Sequence, residues 1–200
     1  MKPGNNVGMA AETHFPDRVE TERLVLRPYC SQDAQGILDL VENNRAELIR
    51  EFPQMAKGLR DVEAAKSFTE EKQEQWNSHK TFCYGIWKKH ANQPIGQIQV
   101  KNIAWEIPAA ELGYFIGGKW QRQGYARESI VAILRVAFLE RKFQRVFVRI
   151  LPSNRGSLAL ALKLAFREEG LHRSAFRCGF GELHDVQVLA LTAEEFRGKA

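Results

Sequence analysis

Hydrophobic and polar residues follow regular spacings along most of the chain after residue 21. The segment ERLVLRPY alternates, with Leu24 and Leu26 on one face, which predicts a first strand. A helix is expected to begin at Ser31 or Asp33 and a second one after Asp61, because apolar residues then recur at steps of three and four. The chain therefore opens with one strand and two helices.

Further along the chain, the period changes to two and then back to the helical spacing. Three alternating segments predict an antiparallel meander: TFCYGIWKK, QPIGQIQVKNIAW and AELGYFIG. A long helix is predicted after Trp120, the segment RVFVRIL predicts a buried strand, and another helix opens at Asn154. The stretches HRSAFRC and DVQVLALT predict two final strands.

This order of elements predicts an α/β (α+β) fold. Its sheet is expected to be mixed but largely antiparallel, with six to seven strands flanked by about four helices. Residues 1–18 show no apolar period and are predicted to form a flexible tail, so residues 19–197 would make up a single domain.

Composition narrows the class of protein without naming a partner. With 200 residues, 44% hydrophobic and 26% charged, the chain is expected to fold as one globular domain. The net charge of +5 is compatible with an anionic ligand. Three widely spaced cysteines, no apolar N-terminal core and no long apolar run predict a cytoplasmic protein that does not enter a membrane.

The most informative segment is GGKWQRQGYARE, residues 117–128, between a predicted strand and the long helix. A helix N-terminus presents unpaired amides and a positive dipole end, and Gly124 would let a phosphate approach the backbone. The segment matches neither a Walker loop nor GxGxxG. For Gly124 alone, a plain helix cap is the alternative interpretation.

Gln121, Gly124 and Ala126 form QxxGxA, which resembles the (Q/R)xxGx(G/A) pyrophosphate loop of the GNAT superfamily of N-acetyltransferases. Four segments in order resemble its RimJ/RimL branch, which acetylates N-termini of ribosomal proteins. They are ERLVLRP at 22–28, IG at 95–96, ELGYFIGGKWQRQGYARES at 111–129 and NRGSLALALKLAFREEG at 154–170, and the resemblance covers about residues 20–197.

The resemblance implies a GNAT fold with a V-shaped cleft for acetyl-CoA between two parting strands. In that cleft Phe115 and Ile116 would pair through their main chain with the pantetheine arm, and Asn154 would hydrogen-bond the arm from the other side. The residues expected to bind the pyrophosphate through their amides are Gln121, Arg122, Gln123, Gly124, Tyr125 and Ala126.

Acetyl transfer needs a neutral amine, and an α-amine needs only a weak base. Glu111 is the candidate base, because the family carries an acidic residue there; a solvated glutamate is the alternative. Ala161 stands where many members have a proton-donating tyrosine, so Ser157 is expected to hydrogen-bond the leaving sulfur, unless it only satisfies the helix backbone. Ala165 replaces the usual glycine of KLGF.

Other chemistries lack support. The five histidines show no metal-ligand spacing, so no metal site is predicted, and GxSxG is absent. The acceptor is expected to bind between ENNRAELIREFPQM and the C-terminal strands near His172, Arg173 and Phe176. The prediction is an acetyl-CoA-dependent N-acetyltransferase acting on a protein or peptide N-terminus, with a ribosomal protein as partner and a homodimer as assembly. A small-molecule amine acceptor and a non-catalytic acyl-CoA-binding module are the alternatives.

Overall fold

The computed structural model describes residues 14–198, which form one eight-stranded sheet with helices on both faces. The strands are β1 Val19–Glu20, β2 Leu24–Pro28, β3 Phe82–Lys88, β4 Pro94–Ala104, β5 Ala109–Ile116, β6 Arg145–Ile150, β7 Arg167–Arg177 and β8 Leu183–Thr192. The α-helices are α1 Ala34–Glu42, α2 Arg45–Glu51, α3 Pro53–Gly58, α4 Val62–Asn77, α5 Tyr125–Arg135, α6 Arg155–Lys163 and α7 Ala193–Arg197.

The strand order is β1-β2-β3-β4-β5-β6-β8-β7, and every neighbouring pair is antiparallel except β5 with β6. The predicted fold class is therefore confirmed. Within residues 14–198 the sheet has eight strands, one more than the six to seven predicted. The additional strand is β1, which is too short to show alternation in the sequence. Three helices beyond the four predicted are also short: α2, α3 and α7.

The parallel pair β5 and β6 opens the sheet at its centre. The two strands pair only where Ala109, Ala110 and Glu111 face Arg145, Val146 and Phe147. Beyond that point β5 continues toward Ile116 without pairing to another strand on this edge within residues 14–198, whereas β6 pairs with β8 on its opposite edge along its whole length, Arg145–Ile150. The expected V between two parting strands lies here.

Side-chain caps set two of the predicted helix starts. The Asp61 carboxylate accepts the Ala64 amide at 2.8 Å at the start of α4. The Asn154 side chain accepts the Ser157 amide at 3.0 Å at the start of α6. Both caps are of the preferred residue types, which is why the sequence locates these starts.

No helix among residues 14–198 is long and apolar enough to span a bilayer.

The chain already packs on the domain before residue 19. Residues 1–13 of the predicted tail lie outside the described residues, but Phe15 is fully buried and its ring lies 4.5 Å from that of Phe82. The Tyr84 hydroxyl also donates to the Pro16 carbonyl at 2.8 Å. The packed part of the chain therefore begins upstream of the boundary that hydrophobic periodicity indicates.

The C-terminus of α6 carries an alanine in a conformation that suits glycine. Ala165 has φ of +69°, and two bonds close the helix end there, from the Phe166 amide to the Ala161 carbonyl and from the Ala165 amide to the Leu162 carbonyl. A left-handed backbone costs an L-residue about 1–2 kcal/mol.

Ala165→Gly is therefore expected to raise the free energy of unfolding by up to about 1 kcal/mol, because glycine pays no steric cost at positive φ but loses more entropy on folding. Urea denaturation would measure the gain. Ala161→Gly, in the right-handed interior of the same helix, should destabilise instead. A loss of stability in Ala165→Gly would contradict the strained conformation.

Candidate active site

The opening between β5 and β6 leads into a groove of about 410 Å³. Its walls come from the end of β5, the N-termini of α5 and α6, and helix α2. All but two of the predicted site residues line it: Phe115, Ile116, Gln121, Arg122, Gly124, Tyr125, Ala126, Asn154 and Ser157. The two exceptions are Glu111, which lines a neighbouring pocket, and Gln123.

The loop before α5 has the geometry of an anion site. Gly124 is the N-cap of the helix and adopts φ of +85°, a conformation that glycine takes without strain. The Glu128 amide bonds to the Gly124 carbonyl at 3.0 Å, so the preceding amides of the first turn have no intrahelical acceptor. These amides and the positive end of the helix dipole favour a phosphate group.

Arg23 fixes this loop from outside the groove. Its guanidinium donates to the Gln123 carbonyl at 3.0 Å, pairs with the Glu128 carboxylate at 2.6 Å and lies 4.6 Å from the centre of the Tyr125 ring. The Gln123 side chain turns away and donates to the Lys119 carbonyl. Gln123 can therefore contribute only its backbone to the loop.

The groove is lined by cations that suit a polyanionic ligand. Arg122, Arg127 and Lys163 contribute to its lining, and none of them forms an ion pair within the described part of the chain. Two carboxylates, Glu47 and Glu51, line the groove from α2. Anion-binding and cation-binding groups therefore share one groove.

Among the strands that the structure describes, none pairs with one edge of the main chain at the end of β5. Phe115 and Ile116 pair with Gln97 and Gly96 of β4 on the other edge. The Ile116 carbonyl accepts the Gln121 side-chain amide at 3.1 Å. This is the strand edge on which an extended, amide-containing chain would add.

Asn154 joins α6 to α2 through its side chain. Its oxygen accepts the Ser157 amide, and its Nδ2 donates to Glu51 Oε2 at 2.7 Å. Both ends of the side chain thus have protein partners, and any contact of Asn154 with a bound ligand would compete with one of them.

A second pocket of about 90 Å³ adjoins the groove. Glu111 from β5, Arg149 from β6 and Phe176 from β7 contribute to its walls. The residues that line both cavities are Glu51, Phe52, Tyr114, Asn154 and Ser157. The two cavities therefore meet at these five side chains.

Glu111 is buried in a network of donors and is not a solvated strand-end residue. Only 4% of the residue is exposed. Its Oε2 accepts hydrogen bonds from Asn102 Nδ2 at 2.7 Å and from Arg149 Nε at 3.1 Å. Its Oε1 lies 3.3 Å from Lys101 Nζ. Two cations and an amide therefore contact both oxygens of the carboxylate. Its role as a base stays a prediction, and this network suits a structural role.

Tyr114 is a site residue that the sequence did not single out. Its buried hydroxyl makes no hydrogen bond of ordinary geometry among residues 14–198, although Ser157 lies beside it. Burial raises the pKa of Tyr114 to about 12, with the Ser157 hydroxyl opposing and the Glu51 charge adding to the rise. The sequence does contain one indication of the position of Tyr114. Because side chains alternate along β5, Tyr114 is expected on the face of the strand opposite to Glu111.

Glu51, the last residue of α2, is the second site residue that the sequence did not single out. Burial raises the pKa of Glu51, the hydrogen bond from Asn154 opposes this, and the Glu47 charge adds to it. Glu51 and Phe52 belong to the predicted acceptor segment, and Phe176 joins them in the smaller pocket. His172 and Arg173, in contrast, are exposed on β7 and belong to neither cavity lining.

One group of side chains in residues 14–198 has the proximity a metal ion needs, although the sequence predicted no such site. Cys178, Glu182 and His184 place one ligand atom each within 4.8 Å of one another in the β7–β8 hairpin. Glu182 Oε2 lies 3.4 Å from His184 Nε2 and 4.0 Å from Cys178 Sγ, so the carboxylate lies between the other two groups. They lie outside both cavities.

Comparison with known proteins connects this geometry to a family. The family described as acetyltransferase (GNAT) domain matches residues 23–167. An uncharacterized N-acetyltransferase of Bacillus subtilis (strain 168), YoaA, is 28% identical over 173 residues, which are 86% of this chain and 95% of the relative. The ribosomal protein uS5 alanine N-acetyltransferase of Escherichia coli (strain K12) is 26% identical over 188 residues, covering 90% and 92%.

A solved structure reproduces the fold. Mycobacterium smegmatis RimJ, solved in complex with CoA-disulfide, superposes with a TM-score of 0.81 over 91% of each chain, at 22% identity. At this identity the likeness concerns the fold.

Proposed function

The chain belongs to the GNAT family of N-acetyltransferases, and from this premise we propose that it transfers the acetyl group of acetyl-CoA to the α-amine of a protein or peptide. One observation carries the proposal: the anion site before α5, the free edge of β5 and the smaller pocket form a continuous path. A ligand with a diphosphate, an amide-rich arm and a terminal thioester fits this sequence of sites.

The fit rests on groups of this chain. Amides from Gln121 to Ala126 would hold the diphosphate, and Arg122 and Arg127 would add charge. The free edges of Phe115 and Ile116 would bind the arm. Acetyl-CoA supplies the acetyl group as a thioester, which an amine can attack without a covalent enzyme intermediate.

At the junction of the cavities, two hydroxyl groups can stabilise the leaving sulfur. Ser157 and Tyr114 lie side by side there. With a pKa of about 12, Tyr114 stays protonated at neutral pH, and it is too weak an acid to transfer its proton fully to a thiolate with a pKa near 8.5. Both hydroxyls would therefore act as hydrogen-bond donors.

An α-amine suits the modest basicity of this site. At pH 7 an amine with a pKa near 7.8 costs about 1 kcal/mol to deprotonate, and a lysine near 10.4 costs about 4 to 5 kcal/mol. The smaller pocket has a volume of about 90 Å³, which suits a small N-terminal side chain. The relative from E. coli, a ribosomal protein alanine N-acetyltransferase by name, supports such an acceptor.

Release of free CoA thiol tests the proposal with two panels of acceptors, N-terminal peptides and small amines such as polyamines and aminoglycosides. Turnover of peptides with a free α-amine, and none of their N-blocked forms, is the expected result. Turnover of small amines alone would reassign the acceptor, and tight binding of acetyl-CoA without turnover would indicate a binding module. A cytoplasmic site, a ribosomal protein as acceptor and a homodimer belong to the same proposal.

Ser157→Ala is expected to lower kcat about three- to tenfold and to leave the Kd of acetyl-CoA within about twofold, because a hydrogen bond to the developing thiolate forms only during reaction. Steady-state kinetics and calorimetry would measure the two quantities. Ser153→Ala, before the N-cap, controls for changes at the helix start. Unchanged kcat would assign Ser157 a purely structural role.

A further inference from the structure

We propose that Glu51 is the catalytic base, which takes a proton from the acceptor ammonium before the amine attacks the thioester. The inference rests on the proposed function, since it assumes an amine acceptor in the smaller pocket. Glu51 lines both cavities, whereas Glu111 lines only the smaller one.

The two carboxylates differ in the availability of their oxygens. Glu51 accepts one hydrogen bond, from Asn154 to Oε2, and this contact fixes the position of the carboxylate. Oε1 of Glu51 has no hydrogen-bond or ion-pair partner among residues 14–198. Both oxygens of Glu111, in contrast, contact Lys101, Arg149 or Asn102. A proton can therefore reach Glu51 without breaking an existing contact.

The groups around Glu51 adjust its basicity. Glu47 lies one turn earlier on α2, Tyr114 faces it from β5, and Asn154 and Ser157 face it from α6. Burial and the Glu47 charge both raise the pKa of Glu51, which brings it closer to that of an α-amine. The cations of the smaller pocket, Lys101 and Arg149, pair with Glu111.

The proton balance is simple. Glu51 removes one proton from the ammonium group, directly or through one water, and the nitrogen then forms a bond to the acetyl carbon as the carbon–sulfur bond breaks. The nitrogen then loses a second proton, which the thiolate takes up, so that coenzyme A leaves as the thiol. Protonated Glu51 returns its proton to water, so each turnover releases one proton.

Glu51→Gln in the full chain is expected to lower kcat about tenfold or more at pH 7, because general-base catalysis contributes about 10²–10⁴-fold and glutamine retains the contact with Asn154. The deficit should shrink as the pH rises and the amine loses its proton unaided. Glu111→Gln is the comparison within the site, and Glu70→Gln, exposed on α4, is the control.

A second readout does not depend on turnover. In protein labelled with ¹³Cδ-glutamate, the resonance missing from Glu51→Gln reports the titration of Glu51. Its midpoint should lie above the ordinary 4.5, and Glu47→Gln should lower it because a neighbouring negative charge is removed.

Several outcomes would overturn the proposal: a midpoint at or below 4.5, unchanged kcat in Glu51→Gln, or a larger kcat loss in Glu111→Gln that disappears at high pH. A failure of the proposed peptide acceptor can be distinguished from a failure of the base role of Glu51. If only small amines react, the same pH profile is measured with them, so the base role is tested with a different acceptor. If no amine reacts, the base role is overturned together with the proposed function.

Discussion

Gly124→Asp is expected to weaken the binding of acetyl-CoA at least a hundredfold. The substitution places a negative charge beside the amides of the first turn of α5, where the diphosphate would bind. Two like charges about 4 Å apart repel by about 4 kcal/mol at an effective dielectric constant near 20, which exceeds the roughly 2.8 kcal/mol of a hundredfold change. Isothermal titration calorimetry with acetyl-CoA would measure it.

Two controls separate charge from backbone strain. Gly181→Asp introduces the same residue at a similar φ of +90°, in a turn with open space around it and outside both cavities. Gly124→Ala imposes strain at the loop without charge, and its Cβ would lie 3.2 Å from Arg23 Nη2. We expect Gly181→Asp to bind acetyl-CoA normally and Gly124→Ala to show an intermediate loss. Equal affinities of Gly124→Asp and the unmodified protein would refute the anion site.

Tyr114→Phe is expected to lower kcat about ten- to thirtyfold while the Kd of acetyl-CoA changes less than about threefold. The variant removes one buried donor from the place where the sulfur would acquire negative charge, and donors of that kind stabilise the transition state more than the bound ground state. Steady-state kinetics and calorimetry distinguish the two effects.

Tyr84→Phe is the matched control, because Tyr84 is also a buried tyrosine but donates its hydroxyl to the Pro16 carbonyl, outside the groove. The double variant Tyr114→Phe with Ser157→Ala should lose less than the product of the two single losses, since both hydroxyls serve one sulfur. If Tyr114→Phe raises KM and leaves kcat unchanged, the tyrosine belongs to binding and not to the leaving-group step.

The sequence predicted the parts of the site that local chemistry determines. Gly124 lies between an alternating strand and a long helix, so its position at a helix N-terminus could be inferred from neighbouring residues alone. The Asn154 cap follows from the same kind of local pattern. The strand meander also shows a regular period, and the structure confirms it.

The missed residues come together only through the tertiary fold. Glu51 and Asn154 are 103 positions apart in the chain, yet their side chains are hydrogen-bonded. The family resemblance points to helix α6 for a proton-donating tyrosine, whereas Tyr114 lies beside Ser157 from strand β5. Periodicity gives the face of a strand but not which distant helix packs on that face.

A crystal structure with coenzyme A bound tests the central claim most directly. We predict that the diphosphate lies against the amides of residues 121–126, that the pantetheine arm runs along β5 at Phe115 and Ile116, and that the sulfur lies near Ser157 and Tyr114. Coenzyme A bound elsewhere, with this groove empty or closed by protein side chains at saturating ligand, would contradict the account.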